Sequence, residues 1–403
     1  METKTFFMTS SYYPPYHVGG ACIHVYDLAN ALSELGHEVH VIYSLDWYYM
    51  KKGNVKPKDI FPNHENIILH PVNSPLRKIT PLLAYSFGTY FPMSDKIIQL
   101  INSVKPDILH HHNITGFGPF ILKAKAEKIL YTAHDYWLVC QTYSLLHNNK
   151  IPCSNNTFNC GACSIMSGKP PQIWRYLLDK RELTKNIDLI ISPSHYVKNE
   201  LRRLEITNKI EVLPNFVSVN KIDTPRYFKQ PYLLYVGRLE YSKGILILIG
   251  AFYEVLKKMD YHLVIVGDGR LREKVKSMSE SIESQGKIHY LGYSDNKTLS
   301  NLYQHTSAVI IPSIWPENCP LVALEAIAFG KPIIASNCGG LSEIVDLSGA
   351  GVLVNMKNKM DLLGVITKTI NDEKYLANLT NNAIKYSTFY SKNKYLEHYL
   401  DIL

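Results

Sequence analysis

The stretch YLLYVGRLEYSKGILILIGAFYEVLKKMDYHLVIVG, residues 232–267, decides the fold. It opens on the apolar run YLLYVG (232–237) and passes through a polar loop that holds Arg238 and Lys243. The helical pattern GILILIGAFYEVL follows, and a second short apolar run, HLVIVG (262–267), closes the stretch. Short apolar runs that alternate with longer helical patterns predict a parallel sheet wound on both faces.

The same alternation continues downstream through IHYLG (288–292), AVIIP (308–312) and PIIAS (332–336). Upstream, LPNFVSVNKIDTPRYFKQP (213–231) reads as a linker from its Pro, Asn and polar content. Before it the pattern has already run once, through TFFMTS (5–10), EVHVIYS (38–44), NIILHPV (66–72), DILHHH (107–112), ILYTA (129–133) and DLIISPS (188–194). Among the helical patterns between these runs, IHVYDLANALSELG ends in Gly36 as a helix should. The prediction is an α/β protein of two Rossmann-like domains facing each other across a cleft, with the carboxyl ends of both sheets turned to a shared ligand. The boundaries fall at 1–213 and 214–385, and the terminal helical stretch 386–403 is expected to pack back on the first domain.

A chain of 403 residues suits two cores, and 46% hydrophobic with 19% charged residues describes a folded protein. The formal charge of +8 is spread without a block of like charges, which suits anionic small molecules or an acidic membrane surface. No nucleic-acid module or basic stripe is present, so nucleic acid is not an expected partner. The N-terminus METKTFFMTS has an apolar run too short for a signal peptide, and no stretch reaches the about 18 apolar residues of a spanning helix. A cytoplasmic protein is expected, with any membrane contact peripheral and at the inner face.

Four segments carry chemistry. In SIWPENCPLVALEAIAFGKPIIAS, Pro320 stands where a first helical residue is favoured and Gly330 closes the helix. Residues Asn318, Cys319, Pro320, Leu321 and Val322 then form a helix N-terminus, which attracts a phosphate or diphosphate through its N–H groups and dipole. Glu317 precedes that end and Glu325 lies about a turn and a half inside it. Each carboxylate accepts two hydrogen bonds from a vicinal diol, so the pair could hold a sugar ring and a ribose, the two ends of a nucleotide sugar. Glu325 interrupts the apolar run LVAL-E-AIAF, where a purely solvated carboxylate is out of place.

In YVGRLEYSKG (235–244), Arg238 and Lys243 follow a strand end and suit a diphosphate leaving group, with no metal needed for the chemistry. In SSYYPPYHVGGACIHVYDLANAL, Gly19 and Gly20 occupy the first strand-to-helix turn and permit close approach by a ligand. Neither this turn nor VGDGRLREK (266–274) completes a dinucleotide fingerprint, since Arg272 stands where a third glycine belongs. In YTAHDYW, His134 and Asp135 lie just past a strand, where a histidine can hydrogen-bond the sugar being transferred.

Taken in order, Gly19-Gly20, Gly237-Arg238 through Lys243-Gly244, and Glu317 through Glu325 resemble the retaining glycosyltransferases of family 4, the glycosyltransferase group 1 proteins with the GT-B fold. The resemblance covers nearly the whole chain. It implies Arg238 and Lys243 on the donor diphosphate, Glu317 on the donor sugar, Glu325 on the ribose, Gly20 near the phosphate and His134 against the transferred sugar. It makes His134, Arg238, Lys243 and Glu317 the catalytic set. DILHHHN also resembles the family's D-x-x-H-x-H strand end, which gives His110 and His112 a packing or acceptor-side role. Where the family commonly has Phe-Gly after the first glutamate, this chain has Asn318-Cys319, which leaves the donor sugar open. The implied activity is metal-independent hexosyl transfer from a UDP- or GDP-sugar to a hydroxyl of a glycan or lipid-linked acceptor, with retention of configuration, in polysaccharide, glycolipid or cell-surface glycan synthesis. The competing readings are a nucleotide-sugar epimerase and a non-catalytic transferase-like subunit.

Cys140, Cys153, Cys160 and Cys163 crowd the loop 140–163. In a reducing compartment they suggest a structural zinc site, with free thiols or a disulfide clip as the alternatives. Acceptor contacts are expected from 45–65, 73–95 and 140–170, and LRKITPLLAYSFGTYF (76–91) reads either as a membrane-facing segment or as a packed helix.

Overall fold

The computed structural model describes residues 2–57, 61–147, 151–153, 160–219, 221–356 and 359–403. The chain divides into two compact units, Met1–Leu213 with Leu396–Leu403, and Pro214–Tyr395.

In the N-terminal unit the strands are β1 (Thr5–Thr9), β2 (Glu38–Ser44), β3 (Ile67–Val72), β4 (Ile108–His111), β5 (Lys128–Thr132), a short hairpin of β6 (Leu146–His147) and β7 (Ile151–Pro152), β8 (Leu189–Ser192) and β9 (Lys209–Val212). Outside the hairpin they form one parallel sheet in the order β3-β2-β1-β4-β5-β8-β9. Phe6, Phe7 and Met8 of β1 are buried, because a central strand covered on both faces has no solvent side. The helix Gly20–Glu34 follows β1, and Gly36 at φ 90° accepts the left-handed turn that returns the chain to β2. The last helix, Lys392–Asp401, brings Tyr399 to the end of β4, where its hydroxyl lies 2.8 Å from His110 Nδ1.

In the C-terminal unit β10 (Tyr232–Val236), β11 (His262–Val266), β12 (Ile288–Gly292), β13 (Ala308–Ile311), β14 (Ile333–Ser336) and β15 (Gly351–Val354) form a parallel sheet in the order β12-β11-β10-β13-β14-β15. The odd and even side chains of β10 feed separate cores: Leu233 and Tyr235 pack on one face with Leu248 and Phe252, while Tyr232 and Leu234 pack on the other with Ala323 and Ile327. Both sheets reverse direction of winding beside their first strand, between β1 and β4 and between β10 and β13. Crevices outside the carboxyl ends of strands at such a reversal are where ligands bind in open α/β sheets.

Candidate functional site

In the C-terminal unit the loops leaving β10 and β13 are held together by glycine. Gly244, at φ 68°, is the N-cap of the helix Ile245–Leu256, and a Cβ there would lie 1.8 Å from the Pro312 carbonyl oxygen. Gly267 is equally tight, since its Cβ would lie 1.9 Å from the Gly237 oxygen. No side chain fits at either place, so the turn Tyr241–Lys243 is pressed onto the end of β13.

That closeness sets the main contact. Lys243 Nζ lies 2.6 Å from Glu317 Oε1, and the Ser313 hydroxyl donates to the same oxygen at 2.5 Å. Side-chain exposure is 19% for Lys243 and 7% for Glu317, so the pair is largely withdrawn from water. The Lys243 ammonium also stands 5.7 Å over the Trp315 ring. Burial alone would raise the Glu317 carboxyl; the Lys243 charge and the hydrogen bonds from Lys243 and Ser313 outweigh it and hold it below the usual carboxylate range. The backbone of Glu317 is fixed as well: Gly340 N donates to its carbonyl at 2.6 Å, and Gly339, at φ 62°, has no room for a Cβ against it.

Sequence reasoning assigns Lys243 to a diphosphate and Glu317 to a sugar without pairing them, and it misses Ser313 and Trp315. Arg238 does not join the pair. Its guanidinium is half exposed and bonds Glu240 at 3.2 Å, while its carbonyl accepts from Tyr235.

The helix that follows runs Leu321–Ala328, with Pro320 as its N-cap and no side chain capping it. Pro320 therefore stands one position earlier than predicted, and having no N–H it contributes shape and not a hydrogen bond. The N–H groups of Leu321 and Val322 belong to the end that helices leave unsatisfied. Asn318 and Cys319 are buried, and Asn215 donates to the Cys319 carbonyl at 3.3 Å. Gly330, at φ 72°, terminates the helix as predicted. Glu325, partly buried, accepts a 2.6 Å hydrogen bond from the Tyr303 hydroxyl, and burial raises its carboxyl above the ordinary value in spite of that bond. Tyr303 lies 22 residues away, a partnership without local sequence signal.

In the N-terminal unit Gly19 adopts φ 86°, with no atom within 4 Å of the place a Cβ would take, and Gly20 begins the helix after β1. His134 follows β5. Its Nε2 lies 3.0 Å from His112 Nδ1, and the two rings stack at 5.3 Å. Next to them His110 Nε2 lies 2.8 Å from the Thr132 hydroxyl, and the His24 ring sits 5.2 Å from that of His134. Burial pushes His134 down to about 4 and holds His110, His112 and His24 well below the ordinary imidazole value. These rings are neutral at physiological pH, so the His112–His134 bond has one donor and one acceptor and couples their tautomers. Asp135 accepts from Trp137 N at 2.9 Å and from Asn113 at 3.1 Å, and burial pushes it up to about 6.

The thiols of Cys140, Cys153 and Cys163 come near enough to Cys160 to add to the burial that raises its pKa. None of the four is joined in a disulfide. Among the described residues no group of three or more His, Cys, Asp or Glu is arranged to hold a metal ion. Parts of the expected acceptor loops, 58–60, 148–150 and 154–159, lie outside the described residues.

Residues 18–221 match the model of Glycosyltransferase Family 4, and residues 219–386 match that of Glycosyl transferases group 1. The chain belongs to glycosyltransferase family 4. As a member of that family it is a nucleotide-sugar-dependent glycosyltransferase, and its two parallel α/β units are those of the GT-B fold. An uncharacterized glycosyltransferase of Methanocaldococcus jannaschii is 27% identical, over 93% of this chain and 90% of its own. The N,N'-diacetylbacillosaminyl-diphospho-undecaprenol alpha-1,3-N-acetylgalactosaminyltransferase of Campylobacter jejuni is 32% identical over 43% of this chain and 44% of its own. The Anabaena protein HepE in complex with UDP-glucose superposes with a TM-score of 0.67 at 16% identity, over 99% of this chain and 100% of that one. No helix of this family 4 member, among its described residues, is long and apolar enough to cross a membrane.

Proposed function

We propose that this enzyme transfers a hexosyl group from a UDP-sugar to a hydroxyl of a lipid-linked glycan, with retention of configuration and without a metal ion. The observation that carries the proposal is the Lys243–Glu317 pair at the carboxyl ends of β10 and β13, four residues ahead of a helix N-terminus that no side chain caps. A buried cation beside unsatisfied N–H groups is suited to a diphosphate. Lys243, with Arg238 from the same loop and the N–H groups of Leu321 and Val322, stabilises the charge that grows on the diphosphate as its bond to the sugar breaks. Glu317, kept ionised by Lys243, accepts from hydroxyls of the donor sugar, and Glu325 accepts from the ribose. Gly19 and Gly20 allow backbone approach to the donor, and His134, neutral and oriented by His112, hydrogen-bonds the transferred sugar.

In this scheme the bond between the anomeric carbon and the phosphate oxygen breaks, the acceptor oxygen bonds that carbon from the same face, and the acceptor proton passes to the departing diphosphate. HepE was solved with UDP-glucose, which supports a uridine donor over a guanosine one. The Campylobacter relative is named for a diphospho-undecaprenol acceptor, which supports a lipid-linked glycan. The test is incubation of the enzyme with UDP- and GDP-hexoses and an undecaprenyl-diphosphate glycan, followed by mass analysis. Release of UDP together with an acceptor heavier by one hexose is expected. A new sugar epimer with its diphosphate intact, or no change in any donor, overturns the proposal.

A further inference from the structure

Ten of the thirteen exposed large apolar side chains described in the N-terminal unit fall in two stretches, 76–91 and 165–177. The helix Ile79–Phe87 accounts for part of this concentration. Its inward face is filled by Thr80, Ala84 and Tyr85, yet its outward face, Ile79, Leu82 and Phe87, is apolar too, with exposures of 56%, 46% and 55%. A surface helix ordinarily turns polar residues outward.

The second stretch packs beside the first. Trp174 Nε1 donates to the Tyr85 carbonyl at 3.0 Å, and a Cβ at Gly88 would lie 3.1 Å from the Trp174 ring. Gly161, in turn, would meet the Tyr176 hydroxyl at 2.6 Å. The helix Cys160–Met166 and the turn Ile173–Tyr176 therefore extend the same surface, adding Met166 at 69% and Leu177 at 86% exposure.

Charge accompanies this apolar face. Residues 73–96 carry the exposed Arg77, Lys78 and Lys96 against Asp95 alone. Further along, Lys169 donates to the Thr142 carbonyl and Arg175 is turned inward onto the Trp137 and Leu138 carbonyls, while Asp179 and Glu182 are interleaved with Lys180, Arg181 and Lys185. Arg77 and Lys78 are exposed and directly precede the helix Ile79–Phe87. A cationic rim on an apolar surface of this extent matches the headgroup and acyl layers of an anionic bilayer, and exposed apolar clusters of this kind mark an interaction site.

We infer that the face built from the helix Ile79–Phe87 and residues 160–177 seats the N-terminal unit on an anionic phospholipid bilayer. The inference deepens the acceptor class of the proposed reaction but stands on surface chemistry alone, and its test reads partitioning and not transfer, so either can fail without the other.

The test is flotation of the full chain with vesicles of phosphatidylglycerol and phosphatidylethanolamine, and with vesicles of phosphatidylcholine alone. The wild-type chain is expected to float with the anionic vesicles and much less with the neutral ones, with added salt weakening the association. The variant L82S/F87S/L177S removes only exposed side chains. It is expected to bind the anionic vesicles at least about tenfold more weakly while keeping its melting temperature. The charge variant R77E/K78E is expected to lose the preference for anionic over neutral vesicles. Wild-type protein that stays out of anionic vesicles overturns the inference, as does triple-variant binding equal to wild type. Sedimentation showing that the triple variant abolishes self-association while vesicle binding is unchanged would assign the face to a second copy instead.

Discussion

Lys243 Nζ and Glu317 Oε1 stand 2.6 Å apart, and Ser313 donates to the same carboxylate oxygen, although the lysine and the glutamate come from loops 74 residues apart. Removing the lysine leaves a buried carboxylate without its counter-charge. Lys243→Ala should therefore lower stability by about 3 kcal/mol, whereas the double variant K243A/E317A should cost less than the two single changes added together. Thermal denaturation of the four proteins checks this. Glu317→Gln keeps the shape of the site but not its charge, and turnover should fall about a hundredfold.

The pH dependence of that pair has a definite sign. Because Lys243 holds the Glu317 carboxyl below its ordinary range, the stability it contributes is fully present above the ordinary carboxyl value and is lost as pH falls through the lower, folded-state value. The melting-temperature gap between wild type and Glu317→Gln should be full at neutral pH and should close only in strong acid.

Glu325 should behave in the opposite way. Its folded-state value is raised by burial, so the stability gained by the neutral form is present at low pH and lost as pH rises through that value. Glu325→Gln keeps a hydrogen-bonding group for Tyr303 without the buried charge, and should melt at a higher temperature than wild type at neutral pH. The same variant should bind the nucleotide about tenfold more weakly if the carboxylate serves a ribose. Thermal shift and calorimetry on one preparation read both effects.

Gly244 tests how the site is held. Gly244→Ala would drive a methyl group into the Pro312 carbonyl, and should cost about 3 kcal/mol or more together with the loss of nucleotide binding. Gly168→Ala, at φ 72° with open space around it, should cost only about 1 kcal/mol. Equal effects in the two variants, measured by thermal denaturation, would show that the close approach is unimportant.

Tyr399→Phe tests the histidine cluster. It removes the partner of His110 Nδ1 in a buried site and should lower stability by about 1–2 kcal/mol. His112→Ala should lower kcat more than it raises KM if His134 bonds the transferred sugar as proposed, since it removes the His112 bond that orients that ring. Steady-state kinetics separate the two constants.

Strands such as Tyr232–Val236 and Ala308–Ile311 are legible in the sequence because a strand covered on both faces is an uninterrupted apolar run. Strands β9 and β15 are not. KIEV lies at a sheet edge with Lys209 exposed, and GVLV is four residues set among glycines, so neither carries that signature. Gly330 is legible from its residue type, while the start of the helix that it ends falls one residue away from the position expected at Pro320. In the site, Lys243, Glu317 and Glu325 can be named from motif spacing. Their partners cannot: Ser313 is a common residue type, and Tyr303 reaches Glu325 from another helix, a contact that exists only once the sheet has brought those helices together. The cysteine spacing brings four thiols within 24 residues of one another, which fixes their proximity in sequence and not a ligand geometry.

The proposed reaction requires the C-terminal unit to hold a nucleotide sugar through Lys243. Calorimetric titration of UDP into the wild-type chain and into Lys243→Ala, at a temperature where both are folded, tests it most directly. One UDP is expected to bind per wild-type chain, with an affinity at least about tenfold lower in the variant. Wild-type protein that binds no UDP, or a variant that binds it as tightly as wild type, would contradict it.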